Sequence, residues 1–253
     1  MAGYFRISQA QIARFHEDGY LVVEQLFDAQ EMRLLAETAR ADSAMVAGAF
    51  RIEDEQGNEG KIAVWDQPGD DIYGLIGRSE RIVDTVEKLL DDEVYFYHSK
   101  MILKEPGGGG AWEWHQDYGY WYNYGCLFPD MVSVAVAVDP ATKRNGCMQM
   151  LRRSHKLGRI EHGRSETQTL ADPQRTAEAI KKLELVCCQL QPGDAVFFHC
   201  NTLHRSDQND SDEPRWSLIC CYNARHNDPY DSSHHAPYAP LHKVSDDAVR
   251  GGR

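Results

Sequence analysis

Apolar residues recur at helical spacing in the N-terminal part of the chain and at strand spacing beyond it. In SQAQIARFHEDG (8–19), Ser8 and Gln11 form a capping box, Ile7 and Ile12 are placed as a hydrophobic staple, and Gly19 supplies the stop. The run YLVVEQLF then predicts a short strand. The same start signal repeats at once. Asp28 with Glu31, and Phe27 with Met32, predict a helix running to about Val46. A third helix is predicted over SERIVDTVEKLLDD, whereas the Gly- and Asp-rich stretch 51–78 matches neither period.

From residue 94 the pattern changes. VYFYHSKMILK is rich in strand formers and is broken by EPGGGG. MVSVAVAV alternates branched with small residues at a period of two. LELVCCQL, DAVFFHC and RWSLICCYNA read as further strands, separated by turn signals such as QPGD and NDSDEP. Between them, ADPQRTAEAIKKLE is a helical insertion with Asp172 as N-cap and Pro173 at the first helical position. After Asn227 the chain is rich in Pro and His and predicts an irregular tail. No internal repeat or low-complexity tract interrupts this order. Helices followed by many short strands predict a mainly β fold with flanking α: a double-stranded β-helix (jelly roll, cupin-like) with N-terminal helices packed outside. One domain is expected, with helical support over 1–93, a jelly-roll core over 94–227 carrying a helical insertion at about 159–184, and a tail over 228–253.

Composition acts mostly by exclusion. With 253 residues, 42% hydrophobic and 26% charged, the chain can bury a substantial core. No apolar stretch approaches the ~18 residues of a membrane span. MAGYFRISQAQ has no apolar signal region and VRGGR is not a peroxisomal tripeptide, so a cytoplasmic protein is expected. The 27 basic against 39 acidic residues give a net charge of −12, which disfavours nucleic acid and anionic membranes and leaves a small molecule as the expected partner. Oligomeric state has no signal in the sequence. The seven cysteines are irregularly spaced, form neither CxxC pairs nor a disulfide framework, and predict buried free thiols.

The chemistry concentrates in WEWHQDYGYWYNYG (112–125). Here His115 and Asp117 stand two apart among seven Trp and Tyr residues. Side chains two apart on a strand share a face, so both can reach one metal. A mixed nitrogen and oxygen pair leaves Fe(II), Mn(II) and Zn(II) open and argues against a thiolate site. For a third ligand, the segment PGDAVFFHCNTLHRSDQNDSDEPRWSL offers His199 and His204, an odd number of positions apart, so a regular strand turns only one inward. Ser206 follows His204 by two and Arg215 by eleven. An iron oxygenase that consumes 2-oxoglutarate needs such a pair, since a guanidinium grips the distal carboxylate through two parallel charge-assisted hydrogen bonds and a hydroxyl adds a third.

Several ordered motifs together resemble the phytanoyl-CoA dioxygenase family of Fe(II)/2-oxoglutarate oxygenases, over nearly the whole chain. They are the opening FHEDGYLVVEQLFDAQEM, the strand end LKEPGGGGAWEWHQD, the segment NGCMQMLRRSHKLG, and GDAVFFHCNTLHRSDQN with its downstream arginine. The resemblance implies His115, Asp117 and His204 as iron ligands, Arg215 and Ser206 on the 5-carboxylate of 2-oxoglutarate, and Lys100, on the same strand face as Lys104, as a further contact to that co-substrate. The histidine at the place of His199 is not a ligand in the family. The implied cofactors are Fe(II), 2-oxoglutarate and O2, and the implied reaction is hydroxylation of a substrate C–H with release of succinate and CO2. Halogenating relatives lack the carboxylate that Asp117 retains.

Trp121, four residues after the ligand aspartate, stands where related hydroxylases place a substrate-facing tryptophan. Tyr118 and, by strand alternation from Arg215, Asn223 are expected in the same pocket. The insertion 171–184 is a candidate lid. Where the family has Pro-Gly, this chain has Arg152 and Arg153, expected at a solvated surface. Two other readings remain: a non-catalytic ligand-binding member of the fold, and a zinc-type jelly-roll isomerase or hydrolase, for which Arg215 would be superfluous.

Overall fold

The computed structural model describes residues 5–54, 56–165, 167–231, 233–235 and 237–251; the extreme termini, on which the signal and tripeptide readings partly rest, lie outside them. Helix α1 (Gln9–Asp18) has the Ser8–Gln11 capping box and ends at Gly19, whose φ of 85° is the left-handed turn that glycine adopts freely. Strand β1 (Tyr20–Val23) is shorter than the apolar run, because the chain turns at Gln25 (φ 51°), whose N–H donates to the Asp194 carboxylate. Helix α2 (Ala29–Ala41) also starts on a capping box, from Asp28 and Glu31. It stops before Val46, because Asp42 leaves helical geometry and accepts from Met45 N–H to cap a separate helix, α3 (Ser43–Gly48). The unassigned stretch folds as a hairpin, β2 (Phe50–Glu53) and β3 (Glu59–Trp65), and a helix, α4 (Ile72–Arg78). Helix α5 (Glu80–Leu90) follows as expected.

The remaining elements are β4 (Val94–Lys104), β5 (Trp112–His115), α6 (Asp117–Trp121), β6 (Met131–Ala137), β7 (Met148–Leu151), β8 (His162–Arg164), β9 (Thr169–Ala171), α7 (Pro173–Lys182), β10 (Leu185–Cys187), β11 (Ala195–His199), β12 (His204–Ser206) and β13 (Arg215–Ala224). They form a seven-stranded sheet, β1-β11-β6-β13-β4-β3-β2, facing a four-stranded one, β10-β7-β12-β5, with β8 and β9 as a separate hairpin. Every named pair is antiparallel. This is the jelly roll with helices outside.

Alternation along the strands divides the core. One face of β4, β6, β11 and β13 (Met101, Leu103, Val134, Phe197, Leu218) packs with Phe15, Leu35, Ile76 and Val86 of the helices. The other face, with Ile102, Ala135, Ile219 and Cys221, meets Met150 of the small sheet. The helical layer is pinned by Arg81 of α5, whose guanidinium bonds Glu31 of α2 and Asp246 near the C-terminus, all three essentially without solvent contact. All seven cysteines are free, and only Cys187 is not fully buried. Among the described residues no helix is long and apolar enough to cross a membrane.

Candidate metal centre

Strand β5 ends on His115, and the chain turns into α6 at Asp117. The two residues therefore do not share a strand face. A tight turn brings them together, and the intervening Gln116 fastens it. Its fully buried amide donates to Gly158 and Asn201 carbonyls and accepts from Ile160 N–H, while its backbone N–H donates to His162 Nε2. Gly119 is required beside it, since a Cβ there would lie 2.2 Å from His162 Nδ1. His204 opens β12 directly opposite His115 in the β5–β12 ladder. His115, Asp117 and His204 each offer one ligand atom, and these lie within 4.8 Å of one another in a buried position.

Each imidazole donates from Nδ1 to a backbone carbonyl two residues upstream, His115 to Glu113 at 2.7 Å and His204 to Thr202 at 3.0 Å. That fixes the tautomer and leaves both Nε2 lone pairs unprotonated. Burial, reinforced by the neighbouring His204, pushes His115 down to about 3, and burial lowers His204 as well. Burial alone would raise the Asp117 carboxyl. The Lys100 ammonium at 3.6 Å, the two imidazoles and a 2.6 Å hydrogen bond from Ser133 outweigh it and hold the group well below the usual carboxylate range. Two neutral imidazoles and one carboxylate form a donor set suited to a divalent ion of intermediate hardness.

The same cavity, about 310 Å³, reaches Ser206 and Arg215. Arg215 is buried, and burial lowers its pKa to about 10. Its guanidinium donates to Gly146 O at 2.9 Å and Ser217 Oγ at 3.2 Å, and among the described residues Nε has no partner. A buried guanidinium N–H left bare is destabilising until an acceptor arrives, so the residues fit a ligand carrying a carboxylate.

A model of the phytanoyl-CoA dioxygenase family matches residues 15–217. The chain belongs to that family. An ectoine dioxygenase from Sphingopyxis alaskensis is 27% identical over 86% of this chain and 76% of its own. An L-proline trans-4-hydroxylase from Streptomyces griseoviridis is 28% identical over 85% of this chain and 86% of its own. Crystal structures of EctD from S. alaskensis, with 2-oxoglutarate and 5-hydroxyectoine or with bound Fe, superpose with TM-scores of 0.79 and 0.80 at 26% and 25% identity, each covering 94% of this chain and 88% of that one. This phytanoyl-CoA dioxygenase family member is an Fe(II)/2-oxoglutarate-dependent dioxygenase, with Fe(II), 2-oxoglutarate and O2 as its cofactors. The non-catalytic reading finds no support.

The family reading places the other expected residues unevenly. Asp117, Tyr120, Trp121 and Tyr124 line the cavity, a helical i, i+3, i+4, i+7 set. Tyr118 does not line it. It points away from this stripe, and its hydroxyl donates to the Cys126 carbonyl. Asn223 is likewise absent from the lining, with its amide committed to Tyr95 Oη and Asn227 O at 2.8 Å each. His199 faces α1, beside Phe15 and His155, with Nδ1 accepting from Asn201 N–H. Trp114 lies under Arg205 and Tyr122 under Arg159, outside the cavity. The insertion helix α7 buries Ala179 against Leu151, Ile160 and Leu203 and does not reach the cavity, so it is not a lid on it. Arg152 pairs with Asp18 and Glu184, and Arg153 with Glu17.

Five residues of the cavity wall escaped the sequence reading: Ile52, Ile62 and Val64 of the hairpin, His98, and His235 of the tail. For His98 the signal was present, since it shares the inward face of β4 with Lys100. Gly146 also went unnoticed, although it sits in the NGC motif. Its φ is +74°, and a Cβ would lie 2.2 Å from Asp207 O. Gly146→Ala is expected to shift the carbonyl that holds Arg215 and to weaken 2-oxoglutarate binding about tenfold, equivalent to roughly 1.4 kcal/mol. Anaerobic titration of the Fe(II) protein measures this, and unchanged affinity would refute the link.

Proposed function

We propose that this protein hydroxylates an unactivated C–H bond of a small organic molecule, with His115, Asp117 and His204 as iron ligands and Arg215 and Ser206 on the distal carboxylate of 2-oxoglutarate. One observation carries the reading: a buried neutral two-histidine, one-carboxylate cluster opens onto the same cavity as a buried guanidinium with a free N–H. The stoichiometry is substrate, O2 and 2-oxoglutarate to alcohol, succinate and CO2, one oxygen atom of O2 entering each oxygenated product. Iron, when bound, supplies the activation of dioxygen.

The chain's own groups do the rest. The carbonyls of Glu113 and Thr202 hold both imidazoles with Nε2 toward the cluster. Ser133 orients the Asp117 carboxylate, and Lys100 places a positive charge beside it where the metal-proximal end of 2-oxoglutarate is expected. Trp121, Tyr120 and Tyr124 with Ile62 and Val64 give the open part of the cavity apolar walls that exclude water around the reacting C–H. The relatives named for ectoine and L-proline, together with the cavity volume, support a substrate of that size.

The test has two arms. Adding 2-oxoglutarate to the anaerobic Fe(II) protein is expected to produce a metal-to-ligand absorption band. Under oxygen, a panel beginning with L-proline and ectoine is read for Fe(II)-dependent succinate and hydroxylated product. Absence of both the band and Fe(II)-dependent succinate release rejects the proposal.

A further inference from the structure

Two buried cations meet at the closed end of the cavity. Lys104 is 1% exposed and Arg215 5%, and they stand directly opposite each other in the β4–β13 ladder. Among the described residues neither is within ion-pair distance of a carboxylate. Arg215 uses neutral oxygens, Gly146 O and Ser217 Oγ. Lys104 Nζ donates to Ser206 Oγ at 2.9 Å and to the Asp207 backbone carbonyl. The nearby acids are engaged elsewhere: Asp54 accepts from Ala111 and Asn58, and Asp207 from Gln149 and Arg205. Burial and the facing Arg215 guanidinium push the Lys104 ammonium well below its ordinary range, so this end of the cavity lacks the counterion that would hold both side chains charged.

The bond to Ser206 has a direction. Nζ is the donor in this bond, and once an incoming carboxylate restores the ammonium it has no lone pair to offer, so Ser206 Oγ is the acceptor and its own proton must point elsewhere. Ser206 lines the cavity, as Arg215 does. We propose that Lys104 is a positioning residue for the co-substrate: its ammonium holds Ser206 so that the hydroxyl donates into the cavity, onto the carboxylate that Arg215 receives. This rests on reading the cavity as the 2-oxoglutarate site. A hydroxyl polarised by a cation is also the stronger donor, and the second positive charge adds to that of Arg215.

The experiment is a double-mutant cycle over Lys104→Met and Ser206→Ala, read by the anaerobic Fe(II)–2-oxoglutarate absorption titration and by steady-state kinetics. Lys104→Met is expected to weaken 2-oxoglutarate binding roughly 10- to 30-fold, the range of about 1.4–2 kcal/mol. KM for 2-oxoglutarate should rise far more than kcat falls. If Lys104 works through Ser206, the double variant loses little more than the worse single one. The melting temperature without ligand should not fall, because Met removes a buried amine whose charged form burial and Arg215 disfavour, whereas the upward shift given by 2-oxoglutarate should shrink. Lys104→Gln, which keeps an N–H toward Ser206 but not the charge, carries the same sign in the same titration should the Met variant not fold. Wild-type affinity in these variants, multiplicative losses in the cycle, or a lower melting temperature with unchanged affinity overturns the proposal. If the wild-type protein gives no band, the reading of the cavity itself fails, a result distinct from the others.

Discussion

Asp117→Ala is expected to abolish 2-oxoglutarate turnover, with a loss of about a thousandfold or more, equivalent to at least ~4 kcal/mol of transition-state stabilisation. Asp117 is the one acidic residue on the cavity wall among the described residues. Removing it leaves two neutral imidazoles facing a Lys100 ammonium that has lost its partner, an arrangement that repels a divalent cation. The effect should appear first as lost Fe(II) affinity, measured by metal content after dialysis, and then as lost succinate formation. The fold should persist with some loss of stability, because the bond from Ser133 is lost while Lys100, whose side chain is 18% exposed, keeps access to water once its partner is gone. A variant that retained iron and turned over at the wild-type rate would exclude Asp117 from the metal site.

Arg81→Met should be the most damaging change away from the cavity. Glu31 is 0% exposed and Asp246 2%. Arg81 bonds both carboxylates and also donates to the Leu26 carbonyl. Taking away one partner of a buried ion pair leaves the other charged and unsolvated, and costs about 3–5 kcal/mol. Chemical denaturation is expected to show that loss. Adding Glu31→Leu should recover part of it, since the stranded carboxylate goes too, although the capping bond from Asp28 N–H is then lost. A loss under ~1 kcal/mol in the single variant would show that the triad contributes no more than a surface pair.

Much of the fold could be read from the chain because its signals are local. Capping boxes at Ser8 and Asp28, Pro173 after Asp172, the period-two run at 131–138 and the strand-forming runs at 94–104 and 215–224 each act within a few residues, and each became the expected element. The hairpin over 50–65 carried only a faint one. Phe50 and Ile52, and Ile62 and Val64, do alternate onto one face, but the runs are short, lie within a Gly- and Asp-rich stretch and are mostly exposed or half-buried, so the period does not stand out. The cluster of His115, Asp117 and His204 was legible as a set of residue types in order, although the geometry assumed for it was not. A strand was expected through His115 and Asp117 where a turn into α6 occurs, and Tyr118 was expected in the pocket only as a member of the aromatic cluster around them. The helical stripe Asp117, Tyr120, Trp121, Tyr124 was readable in DYGYWYNY had the period been taken as 3.6. Asn223 failed for another reason. Alternation gives the face of a strand and not the depth, and β13 runs on beyond the cavity to Tyr95 and Asn227.

The hairpin stands apart from the residues assigned to the chemistry. Strand β2 pairs with β3 and β3 with β4 at the edge of the large sheet, and Ile52, Ile62 and Val64 form one wall of the cavity. None of the residues assigned to iron or 2-oxoglutarate lies on it. Part of the substrate wall thus rides on a stretch of chain separate from the oxidising machinery, although Tyr120, Trp121 and Tyr124 stand beside Asp117, so exchanging the hairpin is the change that would reshape the wall and leave the reactive centre in place.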